Sequence, residues 1–295
     1  MSQNEPWTIG RLLTWTTDHF KKQNQPNPRL DAELLLAQAC GCERIQLYTR
    51  FEETVDEETR SRFRELVKRR GEGVPVAYLL GRREFYSLNF AVTPDVLIPR
   101  PETEFAVIAV LDRLKERPAG AAPPRLVDIG TGSGAIAVTV AKHAPTATVM
   151  AVDISSAALA VARTNADGNG VMEQLAFLES DLFSAVPAET RFDIVVSNPP
   201  YVSQGEFEQL APEIRNHEPS LALIAGTDGM TVNARLIPQA AEHLLPGGWL
   251  IIEISPMIET QVHQLLHDDG RWEAVQTTKD LAQLPRIVQA RRRSS

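Results

Sequence analysis

Two short stretches carry residue types able to do chemistry. The first is Asn198-Pro199-Pro200-Tyr201, which closes the apolar run Ile194-Val195-Val196-Ser197. Neither proline can donate a backbone N–H, and both fix φ at about −65°, so strand pairing must stop there. Asn198 precedes a proline and is pushed out of the α region. The turn is therefore stiff, with Pro200 holding it. It offers the Asn198 side chain, the Pro199 carbonyl and the Tyr201 ring at a strand's carboxyl end, where ligands bind in open α/β sheets. An amide oxygen and a carbonyl both accept hydrogen bonds. Such a site suits a planar NH₂ group held by its two hydrogens, with Tyr201 closing over the flat group. The plain alternative is an Asn-Pro turn with a half-buried tyrosine.

The second stretch is Asp128-Ile129-Gly130-Thr131-Gly132-Ser133-Gly134, expected between a strand and a helix. Glycines there permit positive φ and let a ligand approach the backbone. Gly130, Gly132 and Ala135 also satisfy the dinucleotide pattern, and Asp153 ends the next strand, where an acid binds ribose hydroxyls. A nicotinamide dehydrogenase is thus a competitor. Three features favour S-adenosylmethionine instead. A third glycine and the acid Asp128 suit a ligand with an amino-acid tail. The Ser180-Asp181-Leu182 turn places Asp181 to accept from an adenine amino group and Leu182 to pack on the ring. Asn198-Pro199-Pro200-Tyr201 has no role in hydride transfer.

These residues need an alternating scaffold, and the chain supplies one. Strands are expected at 125–129, 148–152, 175–179, 192–197, 249–254, 272–277 and 286–290, with helices at 135–143, 155–166, 230–245 and 258–266 between them. Strands alternating with helices mean a parallel, doubly wound α/β sheet. Ahead of it, 8–71 reads as a small helical bundle, with Ile9, Leu12, Leu13 and Phe20 on one face of its first helix and Leu30, Leu34 and Ala37 on one side of its second. From Pro75 to Pro101 the pattern is extended and reads as a β-hairpin. The expected division is a helical domain over 1–75, a hairpin linker over 76–101 and a catalytic domain over 102–295.

The 295 residues, 43% hydrophobic and 23% charged, are those of a globular protein. No run approaches the roughly 18 apolar residues of a membrane span. The amino terminus lacks the basic and apolar regions of a signal peptide. Cys40 and Cys42 stand without a partner cluster, so no metal site is expected, and the expected compartment is the cytoplasm. The net charge of −8 disfavours non-specific nucleic-acid binding. Residues 1–83 hold 14 Lys and Arg against 12 Asp and Glu, leaving 16 against 26 in the remainder. The basic run Lys68-Arg69-Arg70 reads either as a solvated helix end, favourable to the helix dipole, or as a docking edge for an acidic macromolecule.

Glu84-Phe85-Tyr86, Ile98-Pro99-Arg100-Pro101-Glu102-Thr103-Glu104, the glycine loop and Asn198-Pro199-Pro200-Tyr201 together resemble the HemK/PrmC family. The resemblance covers nearly the whole chain. It implies a class I S-adenosylmethionine-dependent methyltransferase with a Rossmann-like sheet and an N-terminal helical domain. The implied reaction is methylation of the N5 amide nitrogen of the glutamine in the Gly-Gly-Gln motif of class 1 peptide chain release factors. By this resemblance Asn198, Pro199 and Tyr201 serve catalysis, while Arg100 and Glu102 brace the substrate side. The cofactor falls to Asp128, Gly130 to Gly134, Asp153, Asp181, Leu182 and Asn198. A monomer acting on protein, without direct nucleic-acid or membrane contact, is expected. Gln283 departs from the glycine often found in the closing segment. The rival activity is amino methylation of a nucleic-acid base of the adenine N6 type, since Asn-Pro-Pro-Tyr alone specifies an amino or amide nitrogen. A non-catalytic binding module of the same fold is the other rival.

Overall fold

The computed structural model describes residues 6–118 and 120–294. It divides into two compact units, one of residues 1–82 with 212–217, the other of residues 83–211 with 218–295.

The first unit is helical. Helix α1 (Ile9–Lys22) starts at Thr8, whose side chain accepts from the Arg11 N–H at 3.2 Å. Helix α2 (Pro28–Cys40) starts on a proline, favourable at a first helical position, and stops at Gly41 with φ 62°. The short α3 (Gln46–Thr49) is followed by α4 (Glu57–Gly71), capped by Asp56, and by α5 (Val76–Leu80). Helix α2 differs from the one-sided pattern expected of it: Leu30 is exposed, while Ala32, Leu35, Leu36, Ala37 and Ala39 are buried. It touches α1, α4 and α5, so it is the central helix, and a central helix has no single apolar face. Helix α5 likewise replaces the extended chain expected from Pro75. Of the basic run, Lys68 and Arg69 are exposed but Arg70 is buried. Its guanidinium meets Asp31 at 2.8 Å and Glu213, from the segment Pro212–His217, at 2.6 Å. Burial raises the Asp31 pKa even against the pull of Arg70.

The second unit carries the hairpin β1 (Arg82–Phe85) and β2 (Leu88–Ala91), helix α6 (Glu104–Lys115), then β3 (Arg125–Ile129), α7 (Ala135–His143), β4 (Thr148–Asp153), α8 (Ser156–Gly168), β5 (Leu175–Glu179) and β6 (Phe192–Ser197). After α9 (Gln204–Phe207), and the segment of the first unit that forms α10 (Pro212–His217), come α11 (Thr231–His243), β7 (Leu244–Glu253), α12 (Glu259–Asp269), β8 (Trp272–Lys279) and β9 (Pro285–Arg292). Helices α9 and α10 fall in a stretch where the sequence pattern showed no element.

Seven strands form one sheet in the order β5-β4-β3-β6-β7-β9-β8. The sheet is mostly parallel and doubly wound, as expected; β9 alone runs antiparallel to its neighbours, β7 and β8. The central strands read as near-continuous apolar runs because both faces are covered. In β6, Val195 packs into one core, and Ile194 and Val196 pack into the other. Register then sets the site: Ile129 of β3 and Ile252 of β7 both pair with Ser197 of β6. The residues just beyond them, Gly130, Asn198 and Glu253, emerge side by side at the carboxyl edge. Strand order runs outward in both directions from β3 and β6, and that reversal is where open α/β sheets bind ligands.

Candidate active site

A cavity of about 300 Å³ opens over this edge. Its floor is the loop after β3. The Gly130 and Thr131 N–H groups donate to the Val152 carbonyl at 2.8 and 2.9 Å, which folds the loop back against β4. Gly132 sits at φ 55° and turns its N–H onto the Asp153 carboxylate at 2.8 Å. Gly134, at φ 80°, begins α7, and a Cβ there would lie 3.2 Å from both Ala162 and Val138, so α7 and α8 pack closely only because the position is glycine.

Asp153 accepts from Gly132 through Oδ2 and from the Ser155 N–H through Oδ1 at 2.9 Å; burial raises its pKa. Asp153, Asp181 and Leu182 all line the cavity, with Thr131 and Ser133. Asp181 pairs with Arg235 of α11 at 2.7 Å, and Leu182 holds a positive φ of 53°. Asp128 lies elsewhere than expected: it is 1% exposed, below the loop, and does not line the cavity. Its Oδ2 accepts from the Thr131 hydroxyl at 2.7 Å and the Ala137 N–H at 3.2 Å, while Oδ1 finds no partner among the described residues. Burial pushes this carboxyl up to about 7. It therefore braces the loop from below.

On the opposite side stands the turn after β6. The Ser197 hydroxyl donates to the Ile129 carbonyl at 2.6 Å, tying this strand end to the glycine loop. Asn198 and Pro200 reach the cavity wall, while Pro199 is buried behind it. Tyr201 packs against the core instead of lining the wall; burial raises its pKa, and the nearby Glu253 adds to the shift. The Asn198 amide donates through Nδ2 to the Thr103 hydroxyl oxygen at 3.1 Å.

The segment 97–104 forms the remaining wall through Leu97, Pro99, Arg100 and Thr103. Arg100 is ion-paired with Glu218, a carboxylate that also accepts from the Ile98 N–H at 3.2 Å. Glu104 accepts from the Tyr86 N–H at 2.9 Å, which anchors the hairpin to α6. Glu102 does not line the wall. Four supporting residues escaped sequence reasoning: Thr103, Asn165, Glu218 and Glu253. Asn165 of α8 donates to the Ser133 and Ala91 carbonyls at 2.8 and 3.0 Å, linking the hairpin to the glycine loop. Glu253 left one signal, an acid directly after the apolar run Leu250-Ile251-Ile252 at a strand end.

A family model of the PrmC N-terminal domain matches residues 11–81, and one of the methyltransferase small domain matches residues 105–217. A release factor glutamine methyltransferase of Rhodopirellula baltica is 48% identical over 287 residues, covering 97% of each chain. The chain belongs to the release factor glutamine methyltransferase family. A second relative of that name, from Koribacter versatilis, is 40% identical over 98% of this chain and 100% of its own. Among solved structures, the T. thermophilus 16S rRNA N2 G1207 methyltransferase in complex with AdoMet and guanosine superposes with a TM-score of 0.54 at 24% identity. That alignment covers 72% of this chain and 50% of the other, and it shows the fold. In this family member the glycine loop, Asp153 and the Asn198 turn thus meet around one cavity, framed by the segment that carries Arg100.

Proposed function

We propose that the protein transfers a methyl group from S-adenosylmethionine to the N5 amide nitrogen of the glutamine in the Gly-Gly-Gln motif of class 1 peptide chain release factors. The observation that carries the reading is the Asn198 amide, held by Thr103 at the end of β6 and facing the glycine loop across one cavity.

The residues present fit the cofactor. The glycine loop brings Gly130 and Gly132, with Thr131 and Ser133, to the cavity, and the glycines let a ligand approach the backbone. Asp153 keeps lone pairs beyond its two backbone bonds for ribose hydroxyls. Asp181 and Leu182 stand where an adenine amino group and ring would lie, and buried Asp128 braces the loop through Thr131 and the Ala137 N–H. When bound, S-adenosylmethionine supplies a methyl group activated by its sulfonium.

The protein's own task is to present a poor nucleophile. A carboxamide nitrogen has its lone pair delocalised into the carbonyl. Asn198 Oδ1 accepts one of its N–H bonds, aims the nitrogen across the cavity and stabilises the positive charge that develops on it; the Pro199 carbonyl expected for the other belongs to a buried residue off the cavity wall. This is preorganised electrostatics joined to positioning. The amide gains a carbon and releases one proton to solvent after transfer, so no base is required. Arg100, fixed by Glu218, and Glu102 brace the substrate side.

A glutamine side chain alone cannot distinguish release factors from other proteins, so remote contacts must supply specificity. The helical unit offers a groove of about 540 Å³ between α1 and α4, with Trp7, Trp15 and Phe63 in its walls and Arg64 and Lys68 beside them. We assign it the docking of a release-factor domain away from the Gly-Gly-Gln loop. The acidic balance of the remainder disfavours a nucleic-acid substrate. A cytoplasmic monomer suits the reading; among the described residues no helix is long and apolar enough to cross a membrane. The test is incubation with labelled S-adenosylmethionine and, separately, release factor, DNA and ribosomal RNA. Label on the release factor alone is expected, and label only on nucleic acid overturns the proposal.

A further inference from the structure

Glu253 is a carboxyl group with no evident reason to be buried. It ends β7, is 1% exposed, and does not line the cavity. Its Oε2 finds no hydrogen-bond partner among the described residues. A buried polar atom left unpaired destabilises the fold, so a side chain kept in that state invites a functional explanation. The pairing of Ile252 with Ser197 brings Glu253 beside the Asn198 turn. Beside both stands Thr103, 4% exposed, whose hydroxyl favours the charged form of Glu253 and accepts from Asn198 Nδ2 at 3.1 Å.

The charge on Glu253 sets the order of donors. An ionised carboxylate only accepts, a threonine hydroxyl has one proton to give, and an asparagine amide has a donating edge and an accepting edge. An ionised Glu253 draws the Thr103 proton toward itself, which leaves the Thr103 oxygen to accept from Asn198. That selects the rotation of the Asn198 amide in which Nδ2 faces Thr103. Oδ1, the acceptor, is then on the other edge of the amide plane. In the reverse rotation Oδ1 and the Thr103 oxygen would face each other without a proton between them. The NH₂ group would also be presented to a substrate that is itself an NH₂ donor.

We propose that Glu253 is a positioning residue, acting through Thr103 to lock the Asn198 amide with its oxygen toward the substrate nitrogen. This rests on the reading of Asn198 given above and adds what fixes its orientation. Burial pushes the Glu253 carboxyl up to about 7. The Thr103 hydroxyl, Arg286 of β9 and Arg100 favour its charged form, and Glu102 opposes it. Tyr201 is the remaining titratable neighbour, and its own pKa is raised. Protonated Glu253 can donate, which frees Thr103 to turn its proton toward Asn198 and lets the amide rotate. Turnover therefore rises with pH through about 7 and levels above it.

The test compares the full chain with Glu253→Gln, Thr103→Val, Thr103→Ser and Asn198→Ala, using intact release factor as substrate. Glu253→Gln keeps the shape but supplies a donor, and Thr103→Val keeps the shape but removes the hydroxyl. Each is expected to lower kcat by about ten- to a hundredfold, the size of effect that follows misplacing a reacting group. Thr103→Ser should restore most of the rate. S-adenosylmethionine affinity, measured by calorimetry without release factor, should stay within a few-fold in all four. The acid limb of the kcat profile near pH 7 should vanish in Glu253→Gln. Wild-type kcat with an unshifted acid limb in Glu253→Gln, while Asn198→Ala is inactive, overturns the relay and leaves the Asn198 reading standing. Equal loss in Thr103→Ser and Thr103→Val overturns it too, since packing and not the hydroxyl would then matter. An active Asn198→Ala overturns the Asn198 reading itself.

Discussion

Asp153 is where the cofactor assignment is most directly open to perturbation. Its two oxygens each take one backbone N–H, from Gly132 at 2.8 Å and Ser155 at 2.9 Å, and the side chain lines the cavity at the end of β4. Replacing it with alanine removes the acceptor proposed for the ribose hydroxyls. A lost hydrogen bond to a charged group weakens binding by about 1.5–3 kcal/mol, or roughly 10- to 150-fold in Kd. Asp153→Asn should fall toward the lower end, because one carbonyl oxygen of similar placement remains. The assay is calorimetric titration at pH 8, where a carboxyl raised by burial is most fully ionised. Thermal unfolding of each variant serves as the control for the loop. S-adenosylhomocysteine shares the ribose and should weaken by the same factor. Unchanged affinity in a folded Asp153→Ala would refute the ribose assignment.

Other expectations follow from the same geometry. Asp128 and Glu253 both have native pKa values raised to about 7 by burial, so the folded chain holds protons that the unfolded chain has released. Their stabilisation is complete below the unfolded values and is lost as pH rises through about 7, at about 1.4 kcal/mol per group per pH unit inside that window. The unliganded protein should melt higher at pH 6 than at pH 8, and Asp128→Asn should reduce the difference; a melting temperature that rises with pH contradicts this. Gln283 is exposed and adopts φ 63° in the turn between β8 and β9, a conformation that favours glycine. Gln283→Gly should stabilise by about 0.5–1 kcal/mol in denaturant unfolding without altering turnover, and a destabilised variant would contradict the strain argument. On the helical unit, Trp15→Ala with Lys68→Glu should raise KM for intact release factor while S-adenosylmethionine affinity holds; unchanged KM removes the groove from docking.

The elements that carry the site were legible because their signals are local. A β-branched run stopped by Asn-Pro-Pro, a glycine-rich turn after Asp128 and an acid after a second apolar strand each announce a strand end within a few residues. What supports them is not local. Thr103 meets Asn198 across 95 residues, and Arg100 meets Glu218 across 118. Those meetings depend on strand register, which no short window encodes. Strand polarity is similarly hidden: β9 buries Ile287 to Ala290 in succession, a pattern that reads the same whichever way the strand runs. The misread face of α2 has another cause, since a helix surrounded by three others buries most of its circumference and shows no stripe. Tyr201 illustrates how far residue type carries an argument. An aromatic after a stiff turn suits a lid, yet here the ring lies against the core beside Glu253.

The central claim is that Asn198 presents a release-factor glutamine for methylation. Peptide mass spectrometry after incubation of intact release factor with S-adenosylmethionine tests it most directly, with wild-type enzyme and Asn198→Ala run in parallel. The account predicts one added methyl group on the glutamine of the Gly-Gly-Gln peptide with the wild type. With Asn198→Ala it predicts a rate lower by about a hundredfold or more, as for the loss of one preorganised hydrogen-bonding partner, with cofactor affinity within a few-fold. A methyl group on any other residue, or an Asn198→Ala enzyme that modifies the glutamine at the wild-type rate, would contradict it.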